Sequence, residues 1–288
     1  MLSPRRSLGG DAVATLVTLA ITPGLANAQS TCHLGPALPA YSHNDYENPR
    51  PLQEAVELGF RGVEADVIYR GGELRVAHEP ALARPGRTLE RLYLQPLRGI
   101  VQQCGRVVGS ATSFLLNVEL KERSQTGYDS LLAVLNRYPD LFQSGALVDR
   151  PPVQVILVGW NPTPVDSMFG AEQWVWHQER ITRLSPEVGR RPWSGVRLVS
   201  LDYGKTIGWS GEGPPPDKAA RWLARLRAAK GEGPGRLARA YNAPVHSAVY
   251  RLLLEGGVDL IGSERLVASQ RLLRTNPEQG SPVNDSSP

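Results

Sequence analysis

YSHNDYENPRPLQEAVELGFRGVEADVIYRGGELRVAHEP, residues 41–80, decides how the rest of the chain is read. Within it, residues 61–69 (RGVEADVIY) have the composition of a β-strand, and a strand sends successive side chains to opposite faces. Glu64 and Asp66 therefore share one face, while Val63, Ala65 and Val67 share the other. Two carboxylates side by side on an otherwise apolar strand repel each other and resist burial unless a cation lies between them. A divalent metal ion is the simplest such cation. The bland alternative is an ion pair with a Lys or Arg of a neighbouring strand.

Working outward, residues 37–43 read as a short strand, and residues 51–58 have helical periodicity with Pro51 at a permitted first-turn position and Gly59 closing the turn. Strand, helix, strand in that order favours a parallel sheet. Beyond Tyr69, Arg70-Gly71-Gly72 links to a second extended run, 73–78, too closely for anything but an antiparallel hairpin. A two-residue Gly-Gly loop would set His78 opposite Ala65, on the apolar face. A three-residue loop with Gly72 left-handed would set it opposite Glu64. The three-residue loop is the expectation, because a histidine is better placed among carboxylates than against Val and Ala.

Residues 88–103 read as a helix that Pro96 should break or kink near Gln95. In 114–121 (FLLNVELK), Leu116, Val118 and Leu120 share one face while Asn117, Glu119 and Lys121 share the other, which repeats the Glu64/Asp66 pattern. Further strands are expected at 153–158, 173–177, 196–202, 237–241 and 258–261, and helices at 128–138, 217–230 and 245–255. Leaving the hairpin arm aside, these make eight strands, and the fold expected is α/β: a TIM-like (β/α)8 barrel with a β-hairpin extension after the second strand.

The first 28 residues are set aside as a signal peptide: Arg5-Arg6, an apolar run from 12 to 22, then Ala26-Asn27-Ala28 before Gln29. The domains expected are a signal peptide at 1–28, a barrel at 29–274 and a disordered tail at 275–288. About 260 mature residues suit a single barrel. Export to the periplasm or medium follows, by the general or the twin-arginine route, and Cys32 and Cys104 become a disulfide candidate. The net charge of +4 is spread without a basic block, so nothing calls for nucleic acid. Nothing calls for an obligate protein partner either.

His43-Asn44-Asp45-Tyr46, Pro51-Leu52, Gly59-Phe60, Glu64-Ala65-Asp66-Val67 and Leu74-Arg75-Val76-Ala77-His78 together resemble the phospholipase C-like phosphodiesterase superfamily, which includes glycerophosphodiester phosphodiesterases and sphingomyelinase D toxins. Residues 92–97 (LYLQPL) and 200–203 (SLDY) point to bacterial relatives of the fungal altered-inheritance-of-mitochondria proteins. The resemblance implies one divalent cation, Mg²⁺ or Ca²⁺, on Glu64, Asp66 and Glu119, acid/base work by His43 and His78, and Lys121 near the phosphate. Glycerophosphodiesterases usually carry Arg after the first histidine. This chain has Asn44, a further candidate for touching the substrate.

Phosphodiester cleavage needs charge neutralised on the phosphate oxygens, a proton removed from the nucleophile and a proton given to the leaving oxygen. Hard oxygen ligands suit Mg²⁺ or Ca²⁺ for the first task, and histidine, which ordinarily titrates near neutral pH, suits the other two. The reading is an exported, metal-dependent phosphodiesterase acting on a small-molecule or lipid-headgroup diester. The alternatives are a cyclising lyase and a non-catalytic headgroup binder. With a lipid substrate, transient contact with a membrane surface would run through Trp160 or Trp209.

Overall fold

The computed structural model describes residues 32, 35–109, 112–143, 150–159, 175–180, 196–231 and 236–275. The elements follow in chain order: strand β1 (Leu38–Ser42), helix α1 (Gln53–Glu57), β2 (Phe60–Arg70), β3 (Glu73–Val76), α2 (Gln95–Cys104), β4 (Phe114–Leu120), α3 (Gln125–Leu135) and α4 (Pro139–Phe142). The second half carries β5 (Val153–Val158), β6 (Val175–Arg180), β7 (Val196–Asp202), α5 (Tyr203–Thr206), α6 (Asp217–Lys230), β8 (Leu237–Tyr241), α7 (Ser247–Glu255), β9 (Leu260–Ser263) and α8 (Leu266–Arg274). The expected signal peptide and almost all of the expected tail lie outside the described residues. Among the described residues, no helix is long and apolar enough to cross a membrane.

Eight of these strands pair in parallel, in the order β1, β9, β8, β7, β6, β5, β4, β2, and β1 pairs with β2 to close the ring. This is the expected TIM-like barrel. β3 runs antiparallel to β2 as the hairpin arm.

The alternation read from the sequence divides the apolar residues into two cores. Val63, Ala65, Val67, Leu116, Val118 and Leu120 face outward and pack with the helices in one large cluster. Tyr41, Leu115, Ile156, Leu198, Leu237 and Leu260 form a separate cluster inside the ring. Gly262 is needed there, because a Cβ at that position would run into the Tyr41 ring.

The hairpin corrects one expectation. Arg70 pairs with Glu73 and Val67 with Val76, so the loop has two residues, Gly71 and Gly72, at φ 61° and 77°. Two positive-φ residues make a type I′ turn, whose twist matches that of the flanking strands and which glycine fills without strain. That register would carry His78 to the apolar side of Ala65. The ladder ends first: Ala77 N donates to Asp66 O at 3.0 Å, the strand stops, and His78 swings to the carboxylate side. The wish to place a histidine among acids was met by leaving the strand rather than by lengthening the loop.

Pro96 acts where expected. A π-helical turn, Glu90–Leu94, runs directly into α2, and Pro96 sits in the first turn of that helix, at the point where the helix changes from π to α. Cys32 and Cys104 are disulfide-bonded, with Cα atoms 5.7 Å apart, tying the lead-in to β1 to the end of α2.

Candidate functional site

The C-terminal ends of β1, β2 and β4 form the candidate site. Parallel register sets Glu64 beside Asn117 and Asp66 beside Glu119, so two adjacent strands bring three acids together. Ligand oxygens of Glu64, Asp66 and Glu119 all lie within 4.8 Å of one another. Glu64 and Asp66 are buried, and Asp66 Oδ1 is a buried carboxylate oxygen with no hydrogen-bond partner. A buried acceptor left unpaired is costly, and a hard cation is one natural way to satisfy it. The residues present therefore fit a divalent ion. Burial, and then the neighbouring Asp66, push the Glu119 carboxyl above the usual carboxylate range, which a cation would reverse.

His43 follows β1, whose chain continues into β9 pairing through His43 N to Ser263 O at 3.0 Å. Its Nδ1 lies 2.9 Å from Glu264 Oε1 and its Nε2 3.9 Å from Glu64 Oε2, and its ring stacks on Tyr241 at 6.0 Å. His78 Nδ1 lies 2.8 Å from Asp66 Oδ2 and 3.2 Å from Lys121 Nζ. Lys121 Nζ is also 3.0 Å from Asp66 Oδ2 and 3.6 Å from Glu119 Oε1. Both imidazoles thus flank the acids, His43 with 19% of its side chain exposed and His78 with 51%.

Asn44 stands at the rim in the left-handed region, φ 48°, contacting Glu264 and the hydroxyl of Tyr46. The loop that carries it is held by Asp45, whose carboxylate accepts from Leu52 N at 2.6 Å and so fixes Leu52 at φ 63°. A leucine tolerates that backbone only where its surroundings over-determine it. Burial pushes the Asp45 carboxyl above its ordinary range.

Several residues of the site escaped the sequence reading. Arg239 of β8 is fully buried, with Nη2 2.5 Å from Glu64 Oε2 and Nη1 2.6 Å from Gln178 Oε1. Its Nε donates to the Tyr41 hydroxyl. Burial alone would weaken its hold on the proton, but Glu64 and Tyr41 outweigh that and keep the guanidinium charged. One signal was available: an arginine between two alanines in a buried strand (LARAY) needs an acid inside the barrel. Tyr46 donates to Asp66 Oδ2 at 2.9 Å. Glu264 carried no signal, being one more acid just past the end of β9.

The bland alternatives are also present. Glu64 pairs with Arg239, Asp66 with Lys121, and Glu119 with Lys121. His246 caps α7 by accepting from Ala248 N at 3.2 Å. His33, Trp160 and the side chain of His177 lie outside the described residues, and Trp209 is packed against the outer core.

Comparison with known proteins finds likeness in sequence over part of the chain and likeness of fold over most of it. A family model described as the AIM6-like phosphodiesterase domain matches residues 33–114, a span that takes in His43, Glu64, Asp66 and His78 and stops short of Glu119. "Altered inheritance of mitochondria protein 6" of Eremothecium gossypii is 38% identical over 65 residues, 22% of this chain and 17% of that protein. Its namesake in Lachancea thermotolerans is 32% identical over 157 residues, 46% of this chain and 36% of its own. The chain thus spans about a third or less of the length of these curated relatives. The phosphatidylinositol-specific phospholipase C of Listeria monocytogenes superposes with a TM-score of 0.50 over 83% of this chain and 93% of its own, at 10% identity, a likeness of fold. The likeness in sequence thus lies around β1 to β3, and the likeness in the barrel is one of fold.

Proposed function

We propose that the chain is an exported, metal-dependent phosphodiesterase in which His43 and His78 carry the proton transfers. The observation that supports this most is the convergence of Glu64, Asp66 and Glu119 within 4.8 Å, with one buried oxygen of Asp66 unpaired. Bound to these three, Mg²⁺ or Ca²⁺ would supply positive charge for the non-bridging phosphate oxygens.

The chain's own groups divide the remaining work. Lys121, at the rim with a flexible stem, can turn from Asp66 to a phosphate oxygen. Glu264 holds His43 by Nδ1 and leaves Nε2 toward the acids, while Asp66 holds His78 by Nδ1 and leaves Nε2 for a ligand. One imidazole takes the proton of the attacking hydroxyl or water, or attacks directly, and the other protonates the leaving oxygen. Asn44 at the rim is in reach of the alcohol portion. The substrate class proposed is a small-molecule or lipid-headgroup phosphodiester, and the Cys32–Cys104 bond suits an oxidising compartment.

The test is turnover of a panel of headgroup diesters by the purified chain with Mg²⁺, Ca²⁺ or chelator, with products followed by phosphorus NMR. Turnover that chelation removes is expected, and a cyclic phosphate product would mark a lyase. Turnover unaffected by chelator, or by His43→Asn and His78→Asn, would refute the reading. A second reading, a non-catalytic headgroup binder, draws on the pairing of Glu64 and Asp66 with Arg239 and Lys121. Binding with no turnover of any diester would favour it.

A further inference from the structure

We propose that Arg239 is a built-in counter-cation of this site: it vies with the divalent ion for Glu64, lets the barrel fold without the ion, and keeps the ion exchangeable. The inference rests on the reading of Glu64, Asp66 and Glu119 as cation ligands.

Arg239 is 1% exposed, and each of its three guanidinium nitrogens donates to an acceptor: the Tyr41 hydroxyl, Gln178 Oε1 and Glu64 Oε2. Its guanidinium lies over the Tyr41 ring at 4.1 Å and near the Tyr241 ring at 5.2 Å. A guanidinium does not give up its proton in a protein, so the charge is permanent, and here it cannot swing away. Lys121 differs on both counts: its side chain is 18% exposed and its stem is flexible.

Three carboxylates contribute three negative charges; Arg239 and Lys121 pair with them directly, and Arg180 adds a positive charge felt at Glu119. Without Arg239, Glu64 would sit buried with only the imidazole of His43, 3.9 Å away, and no permanent counter-charge until an ion arrived, a state that is strongly destabilising. With it, the site is nearly neutral and folded, and an arriving cation meets a fixed like charge on a carboxylate it must share. Repulsion of that kind is strong where water is excluded. A residue that merely oriented Glu64 would have the opposite effect, since losing it would weaken ion binding.

The experiment titrates Mg²⁺ and Ca²⁺ into the full chain by calorimetry and follows thermal unfolding in EDTA and in each ion. Arg239→Met is expected to bind the ion at least about tenfold more tightly, to melt lower in EDTA, and to gain more from the ion than wild type. Arg239→Lys keeps the charge and loses the fork, and is expected to bind within about threefold of wild type. Equal or weaker binding by Arg239→Met overturns the proposal. Should that variant not fold, Arg239→Lys decides: near wild-type affinity supports the proposal, and a loss of about tenfold or more overturns it. A wild type that binds neither ion removes the metal reading and this inference together. A wild type that binds while Arg239→Met does not tighten removes this inference alone.

Discussion

Leu115 and Glu119 leave the same face of β4 four residues apart and meet opposite surroundings. Leu115 joins Tyr41, Ile156, Leu198, Leu237 and Leu260 in an apolar plug inside the ring. Glu119, at the C-terminal end, joins two other acids and Lys121, with a quarter of its side chain exposed. Between them Asn117 is fully buried, and neither atom of its amide has a hydrogen-bond partner. On β2 both acids stay buried, Glu64 paired with the enclosed Arg239 and Asp66, nearer the mouth, with the partly exposed Lys121. Distance from the mouth therefore decides what an inward side chain can be. Near water a charge can be solvated or shared with a ligand. Deeper in, it must bring its own partner.

The largest effect is expected at the mouth. His43→Ala should lower kcat by about 10²- to 10⁴-fold while cation binding, read by calorimetry, persists. Glu64→Leu, one step deeper, leaves Arg239 buried without its acid. Chemical denaturation should show a loss of about 3–5 kcal/mol, several times that of a surface change. At the plug, Leu115→Ala should cost about 2–5 kcal/mol by the same measurement and leave cation affinity unchanged, because it opens a cavity and touches no ligand. Reducing the Cys32–Cys104 bond, outside the barrel, should cost about 2–4 kcal/mol and spare the site.

The smallest effect is at Asp45, whose carboxyl burial holds above its ordinary range. A raised acid stabilises the fold below its unfolded pKa, about 3.9, and that contribution is lost as pH rises through the folded value. Asp45→Asn, which can still accept from Leu52 N, should flatten this fall in urea midpoints measured from pH 4 to 7. It should come out more stable than wild type at the upper end only.

Much of the barrel was legible because strand alternation is local. Glu64/Asp66 opposite Val63/Ala65/Val67, and Glu119 opposite Val118, could be read two residues at a time. The hairpin register was misread for a definite reason: it was inferred from where His78 ought to point, while the turn chemistry of Gly71-Gly72 argued for two residues. Arg239 and Glu264 were missed because each acts on a residue about 200 positions away, Arg239 on Tyr41 and Glu264 on His43. The LARAY pattern signals that Arg239 needs an acid but not which one, and nothing local marks Glu264 at all.

From the sequence came which faces are apolar and which strands carry acids, since these follow from side-chain chemistry and a period of two, while the two imidazoles were singled out by the resemblance to a known family. Tertiary structure alone decided that β8 would put a permanent positive charge against Glu64, that β9 would supply the acid behind His43, and that His78 would leave its strand to reach Asp66. Ring closure brings the first and last strands together, and no pattern within one strand encodes what stands across the barrel.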